Sequence, residues 1–290
     1  MLRLGILGAG TIGYRVAQAC AHGEVPYEIV SVLDNDPDKR GRVRALGAKV
    51  DSAGDLIDLL RASDVVVEAA AASAVAPLME KAQYLWQLTD EAAEREETYI
   101  ENEAPIGLLT RARTNELRGE RKRVAIADHI VVMSVGGLLD VDLTAPGPTI
   151  HAPSGALGGL DAIQAMAIAG LDEVTLTTRK PPAGLGMDVT EETVLFEGSA
   201  RDVIAKYPKN VNVAVALSLA GIGPDRTRCR LVADPAIERN THHVVARGAA
   251  GEVEFVSRNV PSPDNPATSY LAALSAIALL KKLASKLQVG

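Results

Sequence analysis

Residues Gly8-Ala9-Gly10-Thr11-Ile12-Gly13 fit the pattern G-x-G-x-x-G. They stand where a short apolar run, residues 4–7, gives way to a segment of helical period, residues 11–22, with Ile12, Val16, Ala17 and Cys20 on one face. A strand, this turn and a helix form the phosphate-binding start of a dinucleotide fold. Gly8 permits the tight turn, Gly10 lets the backbone approach a pyrophosphate, and Gly13 lets helix and strand pack closely. The N–H groups and positive dipole end of the helix then face the phosphates. A second β-rich run, residues 29–33, ends at Asp34, 21 residues beyond Gly13. That is the spacing at which a carboxylate accepts hydrogen bonds from a ribose. Asp34 would repel a 2′-phosphate and favour NAD. Arg40, six residues on, stands ready to soften that preference towards NADP.

The pattern continues with a helical segment at residues 55–60, an apolar strand at Val65-Val66-Val67 and another at Ile130-Val131-Val132-Met133. Strands alternating with helices imply an α/β fold, a Rossmann-type doubly wound parallel sheet. Between the last two strands, residues 82–123 read as a charged insert. Seven acids fall in residues 90–103 and six bases in residues 111–123, which predicts an acidic and then a basic solvated helix. Beyond residue 150 the chain changes character. Strand-like runs at 174–178, 193–196, 228–232, 243–246 and 253–256 point to a second, smaller α+β domain, and residues 211–220 read as an apolar helix or a buried strand. Residues 265–287 predict a long helix with Pro266 near its first turn. The expected division is residues 1–155 for the dinucleotide domain, 156–264 for a substrate and dimerisation domain, and 265–290 for a C-terminal helix returning to the first domain.

Thirty basic and 37 acidic residues leave a net charge of −7, which argues against a nucleic-acid binder. Aromatic residues are 3% of the chain, too few for base-stacking platforms. No apolar run reaches the length of a membrane span, and residues 1–8 do not form a signal-peptide core. Cys20 and Cys229 have no metal-like spacing and read as reduced thiols of a cytoplasmic protein.

Three further segments carry candidate chemistry. The stretch Pro153-Ser154-Gly155-Ala156-Leu157-Gly158-Gly159 is small enough for close backbone approach, and a nicotinamide resting near Ala156 would account for it. Asn212 opens the apolar element at 211–220 and can both donate and accept, as a carboxamide or ribose requires. His242 and His243 lead into a strand, so they face opposite sides and at most one enters a given cleft. With an ordinary pKa of about 6.5, such a histidine is a natural acid–base. His22, His129 and His151 read as structural.

On these residues the chain resembles the L-aspartate dehydrogenase family. The similar stretches are the glycine turn, Val67-Glu68-Ala69-Ala70, residues 131–136, 153–162, Arg179-Lys180-Pro181-Pro182, 195–201, Tyr207-Pro208-Lys209-Asn210-Val211-Asn212 and Asn240-Thr241-His242. The resemblance implies a Rossmann domain with a smaller α+β domain and a homodimer. It implies an NAD- or NADP-dependent oxidation of L-aspartate to iminoaspartate or oxaloacetate plus ammonia, feeding NAD biosynthesis. It assigns His242 the catalytic role. It also assigns cofactor contacts to Ala70, Ala156 and Asn212, beside Gly8, Gly10, Thr11, Ile12, Gly13 and Asp34. Arg179 and Lys180 are the cations expected to meet the substrate carboxylates. The charged insert, a short connection at 139–150 and a trimmed loop after Pro182 depart from the family pattern. Alternatives are a homoserine-dehydrogenase-like or dihydrodipicolinate-reductase-like enzyme, and a non-catalytic NAD(P)H sensor.

Overall fold

The computed structural model describes residues 1–46, 51–103, 126–207 and 212–289, with the side chains of 51–52, 89–103 and 266–267 left aside. Six strands, β1 (Leu2–Leu7), β2 (Tyr27–Leu33), β3 (Asp51–Ser52), β4 (Val65–Glu68), β5 (His129–Val132) and β6 (Thr149–His151), form a sheet of order β3-β2-β1-β4-β5-β6. Every neighbouring pair is parallel. This order places the switch point between β1 and β4, beside the glycine turn, where such sheets bind ligands.

Both faces of this sheet are covered, which is why its strands are apolar along their whole length. On one face, α1 (Thr11–Ala21) sends Val16 and Ala17 into a core with Leu4, Ile6, Val65, Val67 and Val131. On the other, α3 (Leu56–Ala62) and α4 (Ala72–Glu103) bury Leu59, Leu60, Leu78 and Met79 against Val66, Ile130 and Val132. Asp36 caps α2 (Pro37–Arg44) and Asp55 caps α3, each accepting an N–H of the first turn at 2.9 Å.

The second sheet, β11-β10-β7-β9-β8, is mixed. It comprises β7 (Leu171–Lys180), β8 (Thr193–Ser199), β9 (Arg228–Ala233), β10 (Thr241–Gly248) and β11 (Gly251–Arg258). All five strand-like runs of the sequence fall within these strands. One face packs on α5 (Leu160–Ala169), α6 (Ala200–Lys206) and α7 (Asn212–Ala220), with Leu157, Ile163, Val174, Leu217 and Val244 in the core. The open choice for residues 211–220 is thus resolved as helix from Asn212.

Two expectations are corrected. The acidic stretch is no separate element, because it continues α4, which runs unbroken from Ala72 to Glu103; the basic stretch 111–123 lies outside the described residues. The C-terminal helix, α8 (Tyr270–Leu283), starts later than residue 265. Residues Asn265–Ser269 form β13, which pairs with β12 (Pro261–Ser262) through Pro261↔Ser269 and Ser262↔Asn265. A strand uses the extended backbone that proline also allows, and Ser269 becomes the cap residue of α8. This helix buries Ala276, Ile277 and Leu280 in the core of the first domain beside α1, and the Tyr27 hydroxyl donates to the Leu280 carbonyl at 3.1 Å. No helix among the described residues is long and apolar enough to cross a membrane.

Candidate active site

The glycine turn is built as its sequence requires. Gly8 has a φ of +88°, and a Cβ there would stand 2.6 Å from the Ala70 backbone. A Cβ on Gly13 would collide with the Gly8 carbonyl, so α1 lies tight against the turn. A Cβ on Gly10 would meet nothing within 4 Å. That glycine therefore opens onto free space at the N-terminus of α1, where no side chain caps the helix. An uncapped helix start behind an open glycine is the cradle that a pyrophosphate fits.

Asp34 is tied into the same turn. Its Oδ2 accepts the Ala9 N–H at 2.7 Å and its Oδ1 accepts the Asp36 N–H at 2.8 Å. Each oxygen keeps a further lone pair for a ribose hydroxyl. The Arg40 guanidinium donates to the Asp34 carbonyl, which fixes a cation beside the ribose end.

From Ile12 and Ala70 a cleft of about 310 Å³ runs between the two domains. Met133 and Ser134 from the loop after β5, Gly155 and Ala156, and Asn212 at the start of α7 line its middle. Lys180, Asn240, His242, Thr268 and Ser269 line it as well. The Ala156 segment is held from two sides. Asn259, buried, donates its Nδ2–H to the Ala156 carbonyl at 3.0 Å, and the Ser275 hydroxyl on α8 accepts the Gly155 N–H at 3.1 Å.

His242 is 6% exposed and sits opposite Thr178 in the β10–β7 pairing. A hydrogen bond of 3.0 Å joins Thr178 Oγ1 to His242 Nδ1, leaving Nε2 for the cleft. Burial, with help from the nearby Lys180 charge, pushes the imidazole pKa down to about 4. Burial also lowers the Lys180 pKa from its ordinary value. At neutral pH the histidine is therefore an uncharged acceptor next to an amine. His243 takes the other face, where it lies 2.7 Å from Glu254. His129 Nδ1 and His151 Nε2 lie 3.1 Å apart on β5 and β6, and His22 follows the last residue of α1; none of the three lines the cleft.

The strand period also turns the two expected cations, Arg179 and Lys180, to opposite faces. Lys180 lines the cleft; Arg179 does not, and its guanidinium lies 3.4 Å from both Asp234 and Glu192. Sequence reasoning missed Thr178, Asn259 and Ser269. Thr178 was within reach of it, two residues before Lys180 on the same face of a strand. Asn259 and Ser269 depend on contacts between distant segments that no local pattern reveals.

A dinucleotide fits these residues. The open space at Gly10 would suit the phosphates, and the small Ala69, Ala70, Gly155 and Ala156 would leave room for a nicotinamide. The Ser269 hydroxyl at the cleft is buried with no hydrogen-bond partner among the described residues, as expected of a group that meets a ligand.

Comparison with known proteins agrees with this geometry. Residues 161–283 match the family model "Aspartate dehydrogenase, C-terminal", and residues 8–83 match "Homoserine dehydrogenase, NAD binding domain". The chain is 38% identical over 310 residues to an L-aspartate dehydrogenase of Methanocella arvoryzae, covering 100% of both chains. It is 37% identical to that of Methanopyrus kandleri, covering 100% of this chain and 98% of the relative. The crystal structure of aspartate dehydrogenase from Thermotoga maritima has a TM-score of 0.69 at 23% identity, covering 100% of both, and shares the fold.

Proposed function

Since this chain belongs to the L-aspartate dehydrogenase family, we propose that it oxidises L-aspartate at Cα to iminoaspartate, which water converts to oxaloacetate and ammonia, in a reversible reaction. The enzyme is an NAD(P)-dependent oxidoreductase. The observation that carries the substrate reading is the placement of one buried, neutral histidine and one lysine on the same face of the second sheet, both lining the cleft.

The bound dinucleotide supplies the acceptor for the Cα hydride. The chain's own residues do the rest. Gly10 and the start of α1 hold the phosphates, Asp34 the ribose, and Ala70, Ala156 and Asn212 the nicotinamide end. Lys180 meets a substrate carboxylate, a charge-assisted contact contributing about 1.5–3 kcal/mol. The Ser269 hydroxyl offers a further hydrogen bond. The substrate amine must be uncharged for its lone pair to form the C=N bond as hydride leaves. His242 Nε2, neutral at pH 7, takes that proton. That first proton passes to solvent, which frees Nε2 to take one from the water that attacks the imine carbon and to return it to the departing ammonia. Thr178 holds the ring so that Nε2 faces the substrate.

We assign residues 1–155 to cofactor binding, 156–264 to substrate binding and dimerisation, and 265–290 to the segment that returns to the first domain. The face of the second sheet opposite its helices carries Val245, Val256 and the Arg247–Glu173 ion pair, and supports the reading of a homodimer. The free thiols Cys20 and Cys229 suit a cytoplasmic enzyme whose imine product enters NAD biosynthesis. His242→Ala tests the site: kcat falls by about 10²–10⁴-fold while NADH binding stays intact. Unchanged kcat removes the assignment.

A further inference from the structure

One buried ionisable group beside the cleft has no part in this chemistry. Glu68, at the end of β4, has no exposed surface. Its Oε1 accepts the Ala70 N–H at 2.8 Å, and its Oε2 accepts the Ser134 N–H at 2.9 Å. Its own carbonyl accepts the Met133 N–H at 3.0 Å. Ala70 belongs to the loop after β4 and Ser134 to the loop after β5, and both residues line the cleft. The Ala70 loop also abuts Gly8, so this one carboxylate ties together the segments that surround the nicotinamide end.

Each carboxylate oxygen accepts a backbone N–H, and such bonds are stronger to the ionised form than to the protonated one. Burial raises the Glu68 pKa overall, and the backbone N–H groups and the Ser134 hydroxyl oppose that rise. A buried carboxylate whose partners among the described residues are backbone and hydroxyl dipoles exerts a weakly screened field on its surroundings. Reduction removes one positive charge from a nicotinamide ring.

We propose that Glu68 is a positioning residue that joins the two loops of the cleft wall, and that its buried negative charge favours the cationic, oxidised cofactor over the neutral, reduced one. The inference rests on the reading that this cleft takes the nicotinamide. It makes Glu68 a determinant of how tightly each redox form is held, separate from the acid–base work of His242.

Binding of NAD+ and NADH to the full chain tests it, by calorimetry for the first and fluorescence for the second. Glu68→Gln keeps the shape and removes the charge, and should weaken NAD+ about three- to tenfold more than NADH. Glu68→Asp keeps the charge, and should preserve the ratio of the two dissociation constants even where a shorter side chain loosens both. Equal weakening of both forms by Glu68→Gln overturns the electrostatic role, because loop loosening alone acts on both alike. The unaltered protein gives a reading that does not depend on any variant folding. It should bind NAD+ at least as tightly as NADH, and NADH bound about tenfold tighter contradicts the proposal. Failure of both nucleotides to bind the unaltered protein overturns the cofactor reading itself, and this inference with it.

Discussion

The Thr178 hydroxyl lies 3.0 Å from Nδ1 of His242, across the antiparallel pairing of β7 and β10. Two neighbouring strands thus orient the ring from behind while its other nitrogen is left to the cleft. Thr178→Val removes the hydrogen bond and keeps the shape. It should lower kcat by about fivefold to tenfold, matching the roughly 1 kcal/mol of a neutral hydrogen bond, with little change in the affinity for NADH. Steady-state kinetics beside an NADH titration check both halves. An unaltered kcat would mean that packing alone orients the ring.

The depressed pKa of His242 makes folding stability depend on pH. Above pH 6.5 the ring is neutral in both folded and unfolded chains and contributes nothing. Below 6.5 the unfolded chain binds a proton that the folded ring, with a pKa of about 4, does not take. Stability therefore falls from pH 6.5 towards 4. The loss from this residue is about 2 kcal/mol between pH 7.5 and 5. Urea unfolding at the two pH values, compared with His242→Gln, isolates it: the variant should lose about that much less on acidification.

Lys180 and Arg179 make opposite predictions although they are adjacent. Lys180→Met should raise KM for L-aspartate by about tenfold to a hundredfold and leave the affinity for NAD unchanged. Arg179→Met breaks contacts with Asp234 and Glu192 on the other face and should leave KM near its original value. Kinetics that reverse this order would show that Arg179 reaches the substrate.

How much of this was legible in the sequence depends on how local each signal is. The glycine turn, Asp34 and the strands of both sheets announce themselves through spacing and period. The two histidines could be separated into one inward and one outward residue by alternation alone, but choosing between them required the resemblance. Alternation also separates Arg179 from Lys180; the adjacent charges hid a distinction that the register with β10 makes plain. The start of α8 was misjudged because Pro266 is equally at home in a first helical turn and an edge strand, and only the pairing with Pro261 and Ser262 decides. Glu68 stands out in the sequence only within the family-like stretch, because its bond to Ala70 is local but its bond to Ser134 joins residues far apart in the chain.

Gly10 and Gly13 separate binding from folding. A Cβ at residue 13 collides with backbone, so Gly13→Ala should lower Tm and solubility before activity can be read. Gly10→Val places its side chain in open space, so it should keep Tm while abolishing cofactor binding. Thermal unfolding with and without NADH distinguishes them, since only a chain that binds is stabilised by the nucleotide.

We expect Asp34 and Arg40 to set the cofactor preference. The carboxylate should make kcat/KM higher with NAD than with NADP, and Arg40→Ala should lower the NADP value further while changing the NAD value little. A strong preference for NADP in the unaltered enzyme would show that Arg40 dominates the ribose end.

We propose that His242 works on L-aspartate in the cleft it shares with the cofactor. Nicotinamide absorbance, followed in both directions with the unaltered protein and His242→Ala, tests it most directly. The substrates are L-aspartate with NAD+ or NADP+ and oxaloacetate plus ammonia with NADH or NADPH, beside homoserine and malate. Turnover confined to aspartate and to oxaloacetate plus ammonia, and lost in His242→Ala, is the predicted result. Turnover of homoserine or malate instead, or silence with all substrates from a protein that binds NADH, would contradict it.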